Sequence, residues 1–343
     1  MKVLNYIVYL IFRSAWMWTK ILPMGPVFWL AGQAGKLAYY VVPGRRKIAL
    51  KNLELAFGNS KTPEERDRIC RESFIHLCYS GAEFFFMDRL SKDWKSHSTW
   101  EGAEMIDDCI KRRQAHFIFG GHLGGWMLIQ LVAKRFDVSG RRSGVVIRPQ
   151  RNPYIDRFIH RLVERADGVM INTRGTGKLI EQLILEGNLL GFYMDQQSRR
   201  KQGIPVEFFG MPAYSHVVPG YLAWKHRIPM LPFWIIRVKP GHMHMIFRSP
   251  LQFSYTGDKE KDIRAVTQLI VSEVERIIRE NPEQWLWAHN RWSRTLADKD
   301  KGPAQKEKEP KPAEAENGAE AVKLMDSEIG EQKDEDAAES SGR

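Results

Sequence analysis

Three cysteines among 343 residues, Cys70, Cys78 and Cys109, form no C-x-x-C pair and sit in no histidine-rich cluster. That excludes a zinc module and a disulfide framework, and it fits a reducing compartment. An unbroken apolar run is also missing from the opening stretch, because residues 1–42 are interrupted by Arg13, Lys20, Pro23, Pro26 and Lys36. No small-residue cleavage site follows, which argues against a removable signal peptide. No helix-turn-helix, zinc module or aromatic RNA-binding signature appears, so nucleic acid is not an expected partner. Beyond Asp298 large apolar residues almost vanish; residues 299–343 cannot repay their ordering entropy and read as a disordered charged tail.

Acidic residues are scarce in the main body. The net charge is +11, yet residues 299–343 hold 13 Asp/Glu against 8 Lys/Arg, leaving about +16 on residues 1–298. Such a body attracts lipid head groups, an acidic carrier protein or another anion; the alternative is a merely soluble basic surface. Eleven Trp residues fit a bilayer interface, although large cores use aromatics too. Residues 21–42 are about long enough to cross a bilayer and residues 1–18 read as an amphipathic interfacial segment, with a buried helical hairpin as the alternative. Arg45, Arg46, Lys47 and Lys51 follow at once, and by the positive-inside tendency they hold the rest on the cytoplasmic side. The expected units are therefore an anchor (1–42), an α/β domain (43–298) and the tail (299–343).

Within the body, Thr62 as N-cap, Pro63 at the first helical position and Glu64 and Glu65 in the first turn start a helix whose apolar stripe is Ile69, Phe74, Leu77 and Cys78. Strand-like runs cover 116–119, 144–147, 189–194 and 230–238, with helical patterns at 154–166, 176–185 and 263–279. Alternating strands and helices predict a central mixed β-sheet flanked by helices.

The most informative stretch is FIFGGHLGGWMLIQ (117–130). A strand ending in two glycines presents His122 at the carboxyl edge of the sheet, where open α/β folds bind ligands. Gly124 and Gly125 are candidate oxyanion donors through their backbone N–H groups. A lone histidine is nevertheless often structural, and that reading stays open. Asp195 follows another strand-like run and belongs at the same edge, while Arg199, Arg200 and Lys201 form a loop suited to phosphate or carboxylate, or merely a solvated one. His242 and His244 alternate on a strand-like run without a third ligand nearby, so they read as surface residues. Trp285, Trp287 and Trp292 read as packing of the last helix against the core.

The chain resembles the bacterial lipid A biosynthesis acyltransferases, the late acyltransferases of the lysophospholipid acyltransferase-like superfamily. The resemblance covers roughly residues 1–295 and rests on RRKIALKNLELAF (45–57), WEGAE (100–104), GGHLGGW (120–126), RPQRNP (148–153), RGT (174–176), DQQ (195–197), VEFFGMPA (206–213) and NPEQWLWAHNRW (281–292). It implies an N-terminal anchor in the cell inner membrane, a cytoplasmic active site, an acyl carrier protein as donor, a lipid acceptor and no metal or organic cofactor. On this resemblance Arg148, Asn152, Arg174 and Gln196 join the basic loop as substrate-binding candidates. One departure stands out: the family's histidine is followed at the fifth position by Asp or Glu, and here that position is Met127. A thioether neither fixes the imidazole tautomer nor offsets its positive charge. Three accounts follow: another carboxylate, Asp195 first, replaces the missing one; His122 acts unaided; or the fold persists as an inactive lipid-binding or partner-organising protein.

Overall fold

The computed structural model describes residues 2–129, 143–147, 149–164, 168–172 and 177–300. Arg148, Arg174 and the tail from residue 301 lie outside the described residues, as does the side chain of Lys201. The chain opens with α1 (Lys2–Trp18), α2 (Met24–Val41), α3 (Pro43–Phe57), α4 (Pro63–Phe85), α5 (Met87–Lys92) and α6 (Trp94–His97), then β1 (Ser98–Glu101) and α7 (Glu104–Lys111). The central part runs β2 (His116–Gly120), β3 (Ser143–Ile147), α8 (Pro153–Glu164), β4 (Gly168–Asn172), α9 (Gly177–Leu185) and β5 (Leu189–Tyr193). It ends with β6 (Gly203–Phe208), β7 (Met211–His216), α10 (Val218–His226), β8 (Met230–Lys239), β9 (His242–Phe247), α11 (Lys259–Glu280) and α12 (Ser293–Asp300).

Among the described residues seven strands make one sheet in the order β1-β9-β8-β2-β5-β3-β4. β8 and β9 pair antiparallel and the other neighbours parallel, so the sheet is mixed as expected. Side chains alternate across it: Phe117 and Phe119 of β2 and Trp234 of β8 enter one core with α11, while Ile118, Leu231, Phe233 and Ile235 enter the other with Phe28 of α2 and Ile106 of α7. Burial on both faces explains why β2 and β5 read as continuous apolar runs.

Local signals act where they were read. Thr62 Oγ1 accepts the Glu65 N–H at 3.2 Å and Glu65 Oε2 accepts the Thr62 N–H at 2.7 Å, a complete capping box that starts α4. Asp258 caps α11, whose buried stripe includes Ile263, Val266, Ile270, Val274 and Ile277. Residues 203–216, to which the sequence reading assigns no element, form the β6–β7 hairpin. Its turn places both Phe209 (φ 55°) and Gly210 (φ 70°) in the left-handed region, a geometry usually announced by Asn-Gly rather than Phe-Gly.

No helix among the described residues is long and apolar enough to cross a membrane, so the expected span over 21–42 is not found. The helix starts only at Met24, carries Lys36, and buries Phe28, Gly32, Gly35 and Tyr39. That buried face packs on α4 so closely that a Cβ on Gly35 would lie 2.5 Å from Ile75 Cα. Much of the remaining surface of this region is apolar: Val3, Leu4, Ile11 and Trp18 of α1 and Trp29, Leu30, Leu37 and Tyr40 of α2 are exposed.

Candidate active site

The parallel register of β2 and β5 builds the site. Gly120 pairs with Tyr193, so the second residue beyond each partner is His122 on one strand and Asp195 on the other. The Met194 N–H donates to the Gly120 carbonyl at 3.0 Å and holds the two ends together. The edge is the crevice at which parallel sheets bind ligands, as the sequence predicts. His122 Nδ1 lies 2.8 Å from Asp195 Oδ1, and the His122 backbone N–H donates to Oδ2 at 2.9 Å. Trp285 Nε1 donates to the same Oδ2 at 2.7 Å. Burial pushes the Asp195 carboxyl up, but the His122 imidazole and these hydrogen bonds outweigh it and hold the group well below the usual carboxylate range. An ionised carboxylate only accepts, so Nδ1 carries a proton, and in the neutral imidazole Nε2 then presents a lone pair. Gln196 Nε2 is 3.0 Å from His122 Nε2, and the rings of Trp126 and Tyr193 flank the imidazole at centroid distances of 4.5 and 4.8 Å.

The described candidates divide into two groups. His122, Asp195 and Gln196 converge, and Arg199 and Arg200 follow on the segment from Asp195 to β6. Gly124 and Gly125 are close to the site, but their N–H groups donate to the carbonyls of Gln284 (3.1 Å) and Ile235 (3.0 Å), so neither is available to an oxyanion. What requires a glycine at 124 is packing: φ is +58° and a Cβ would lie 2.1 Å from the Ile235 carbonyl oxygen. Asn152 is also otherwise engaged; its Oδ1 accepts from the Tyr154 N–H at 3.0 Å at the start of α8 and its Nδ2 donates to the Asn5 carbonyl of α1 at 2.7 Å. Met127 lies half-buried in a short turn, Trp126–Leu128, with Nδ1 of the histidine already taken by Asp195.

Other residues support this arrangement, and sequence reasoning assigned them only packing roles or none. Arg237 of β8 and Glu83 of α4 are fully buried and doubly bonded at 2.8 and 2.7 Å, and Arg237 Nη2 also donates to the Gly124 carbonyl at 2.9 Å. The Leu286 N–H donates to the His122 carbonyl, and Gln284 binds both the N–H and the carbonyl of Arg237. Buried Arg291 donates through Nη1 to the carbonyls of Gln196 (3.0 Å) and Tyr214 (2.7 Å), fixing the loop after β5. Burial pushes its guanidinium down to about 10, with the Asp195 charge opposing. The signal lay in NPEQWLWAHNRW: a buried indole N–H or guanidinium needs acceptors. Their location, 90 residues from Trp285 in the case of Asp195, is a tertiary fact.

A narrow apolar slot opens beside the histidine between the ends of β2, β5 and β8, lined by Ile118, Leu123, Trp126, Ile129, Phe233 and Ile235 among others. Among the described residues no cluster of histidine, cysteine or carboxylate side chains is grouped to hold a metal ion. A base with a fixed tautomer can take a proton from a hydroxyl, and the slot, about 10 Å³ as it stands, admits an alkyl chain only if a lining side chain moves.

Comparison with known proteins identifies the family. The lipid A biosynthesis palmitoleoyltransferase of Escherichia coli (strain K12) is 25% identical over 288 residues, covering 81% of this chain and 88% of that protein. The lipid A biosynthesis lauroyltransferase of the same organism is 25% identical over 275 residues, covering 79% and 86%. A lipid A biosynthesis acyltransferase of Shigella flexneri is 25% identical over 288 residues. Residues 1–294 match the family described as bacterial lipid A biosynthesis acyltransferase, and the chain belongs to that family.

Proposed function

We propose that this protein is an acyltransferase working at a membrane surface, moving a fatty acyl group from an acyl carrier protein thioester to a hydroxyl of a glycolipid such as a lipid A precursor. The observation that carries the proposal is the 2.8 Å contact between His122 Nδ1 and buried Asp195, which supplies the carboxylate that position 127 lacks. His122 Nε2 takes the acceptor proton, Asp195 stabilises the imidazolium, and the acyl chain enters the apolar slot by displacing the Trp126 or Ile129 side chain. Arg199, Arg200 and Lys201 are the proposed contacts for the acceptor's phosphate, and Arg148 and Arg174 remain proposed substrate contacts. No metal or organic cofactor enters this chemistry.

The exposed apolar side chains of α1 and α2 support a monotopic attachment to the cytoplasmic face of the inner membrane. The inactive lipid-binding alternative gains nothing from a histidine held in one tautomer with its second nitrogen facing a side-chain amide. The test is direct. Purified protein with acyl-loaded carrier protein and a lipid A precursor should yield a product heavier by one acyl group by mass spectrometry, and His122→Ala should yield none. Equal product with and without His122 would remove the proposal.

A further inference from the structure

Both glycine N–H groups expected as oxyanion donors near His122 are engaged elsewhere, which raises the question of what meets the negative charge of the tetrahedral intermediate. Gly124 and Gly125 donate to Gln284 and Ile235, Leu123 to Gly121, and the His122 N–H to Asp195. One donor faces the reacting nitrogen instead. With the Nδ1 proton given to Asp195, Nε2 is an acceptor, so the Gln196 group 3.0 Å from it is the amide N–H and not the amide oxygen. Gln196 is half-buried, its carbonyl is fixed by buried Arg291, and it is the next residue after Asp195, so one segment supplies both partners of the imidazole.

Resting on acyl transfer at His122, we propose that Gln196 is a catalytic residue with two successive roles: it caps Nε2 in the resting enzyme, and, displaced by the acceptor hydroxyl, it donates to the thioester oxygen as charge develops there. The hydroxyl proton passes to Nε2 as the new C–O bond forms, and the carbonyl π pair moves onto the oxygen that Gln196 holds. The intermediate then collapses, the C–S bond breaks, and the thiolate leaves with the proton from Nε2. The hydroxyl takes over the bond to Nε2, so the freed amide is within one hydrogen-bond length of the attacked carbon's substituents. The resting cap also removes Nε2 from bulk water, disfavouring hydrolysis of the donor before an acceptor arrives.

The test compares wild type, His122→Ala, Gln196→Met and Gln196→Glu, using acyl carrier protein loaded with a fatty acyl thioester, with and without a lipid A precursor. Gln196→Met keeps the side-chain length and removes the donor; kcat should fall about 10²- to 10³-fold with KM changed less than about threefold, the size of a lost oxyanion donor. Gln196→Glu replaces the donor by an acceptor that favours the imidazolium, so the acidic limb of its kcat/KM profile should move upward by about one pH unit besides the loss of kcat. A Gln196→Met enzyme within about fivefold of a wild type that His122→Ala silences would overturn the role of Gln196 and leave acyl transfer standing. A wild type releasing and transferring nothing from the thioester, like His122→Ala, would overturn both. Should Gln196→Met fail to fold, the pH profile of Gln196→Glu decides alone, an unmoved limb counting against the proposal.

Discussion

At the scale of single residues, Met127 is the departure from the family resemblance, and the proposed mechanism gives the orienting role to Asp195 instead. Asp195, at the end of the neighbouring strand, meets Nδ1 of His122 and is itself held by Trp285. Asp195→Asn should therefore lower acyl transfer by about 10³- to 10⁴-fold, the scale seen when a histidine's orienting carboxylate is neutralised. Met127→Glu should change the rate less than about threefold, because Nδ1 has one N–H and already donates it in a hydrogen bond to Asp195. Both are read from initial rates with a saturating thioester donor; a large gain in Met127→Glu would show that Asp195 does not serve as the orienting group. Asp195 was readable as a candidate because a carboxylate follows an apolar strand. That it faces His122, and that Gly124 serves packing and not an oxyanion, depend on register and on the approach of β8.

Among the elements, α4 and β8 carry the support of the histidine loop from below. Arg237 and Glu83 are both buried, and Arg237 reaches Gly124, Ser80 and His76 as well. Removing one partner strands a charge in the core, so Arg237→Met should cost about 3–5 kcal/mol in denaturant unfolding, while the double variant with Glu83→Leu should recover much of that loss. Additive losses in the double variant would show that the two charges are solvated separately. The exposed apolar surface of α1 makes a second test. Leu4→Asp together with Ile11→Asp alters two exposed apolar positions of α1 and should weaken co-flotation with anionic vesicles without moving the melting temperature by more than about 2 °C. Unchanged flotation would assign the patch another role. The capping box of α4 and the stripe of α11 were legible because cap and period are local. The β6–β7 hairpin was not, since Phe209 holds a left-handed backbone with its N–H given to Glu275 of a distant helix.

For the whole molecule, buried histidines couple stability to pH. Burial pushes His76 down to about 3, helped by the Arg237 charge, and pushes His216 and His289 down to about 4. These rings are neutral in the fold and charge more readily in the unfolded chain, so the unfolded state binds more protons between about pH 6.5 and 4. Stability is then full above about pH 6.5 and falls on acidification, by at most about 1.4 kcal/mol per pH unit for each ring. Thermal melts at pH 7.5, 6 and 5 should show a steady fall; a melting temperature that rises at pH 5 would place these rings in solvent. Periodicity, caps and glycine pairs depend on neighbours within a few residues, and for that reason the sequence by itself determined the mixed sheet with its flanking helices, the position of His122 at a strand end, and Asp195 as a candidate partner. Hydrogen bonds between residues far apart in the chain follow no local rule. Only the tertiary structure decided that Nδ1 is held by Asp195 across 73 residues, that Gln196 caps Nε2, that the glycine N–H groups are engaged, and that α2 packs on α4 instead of spanning a bilayer.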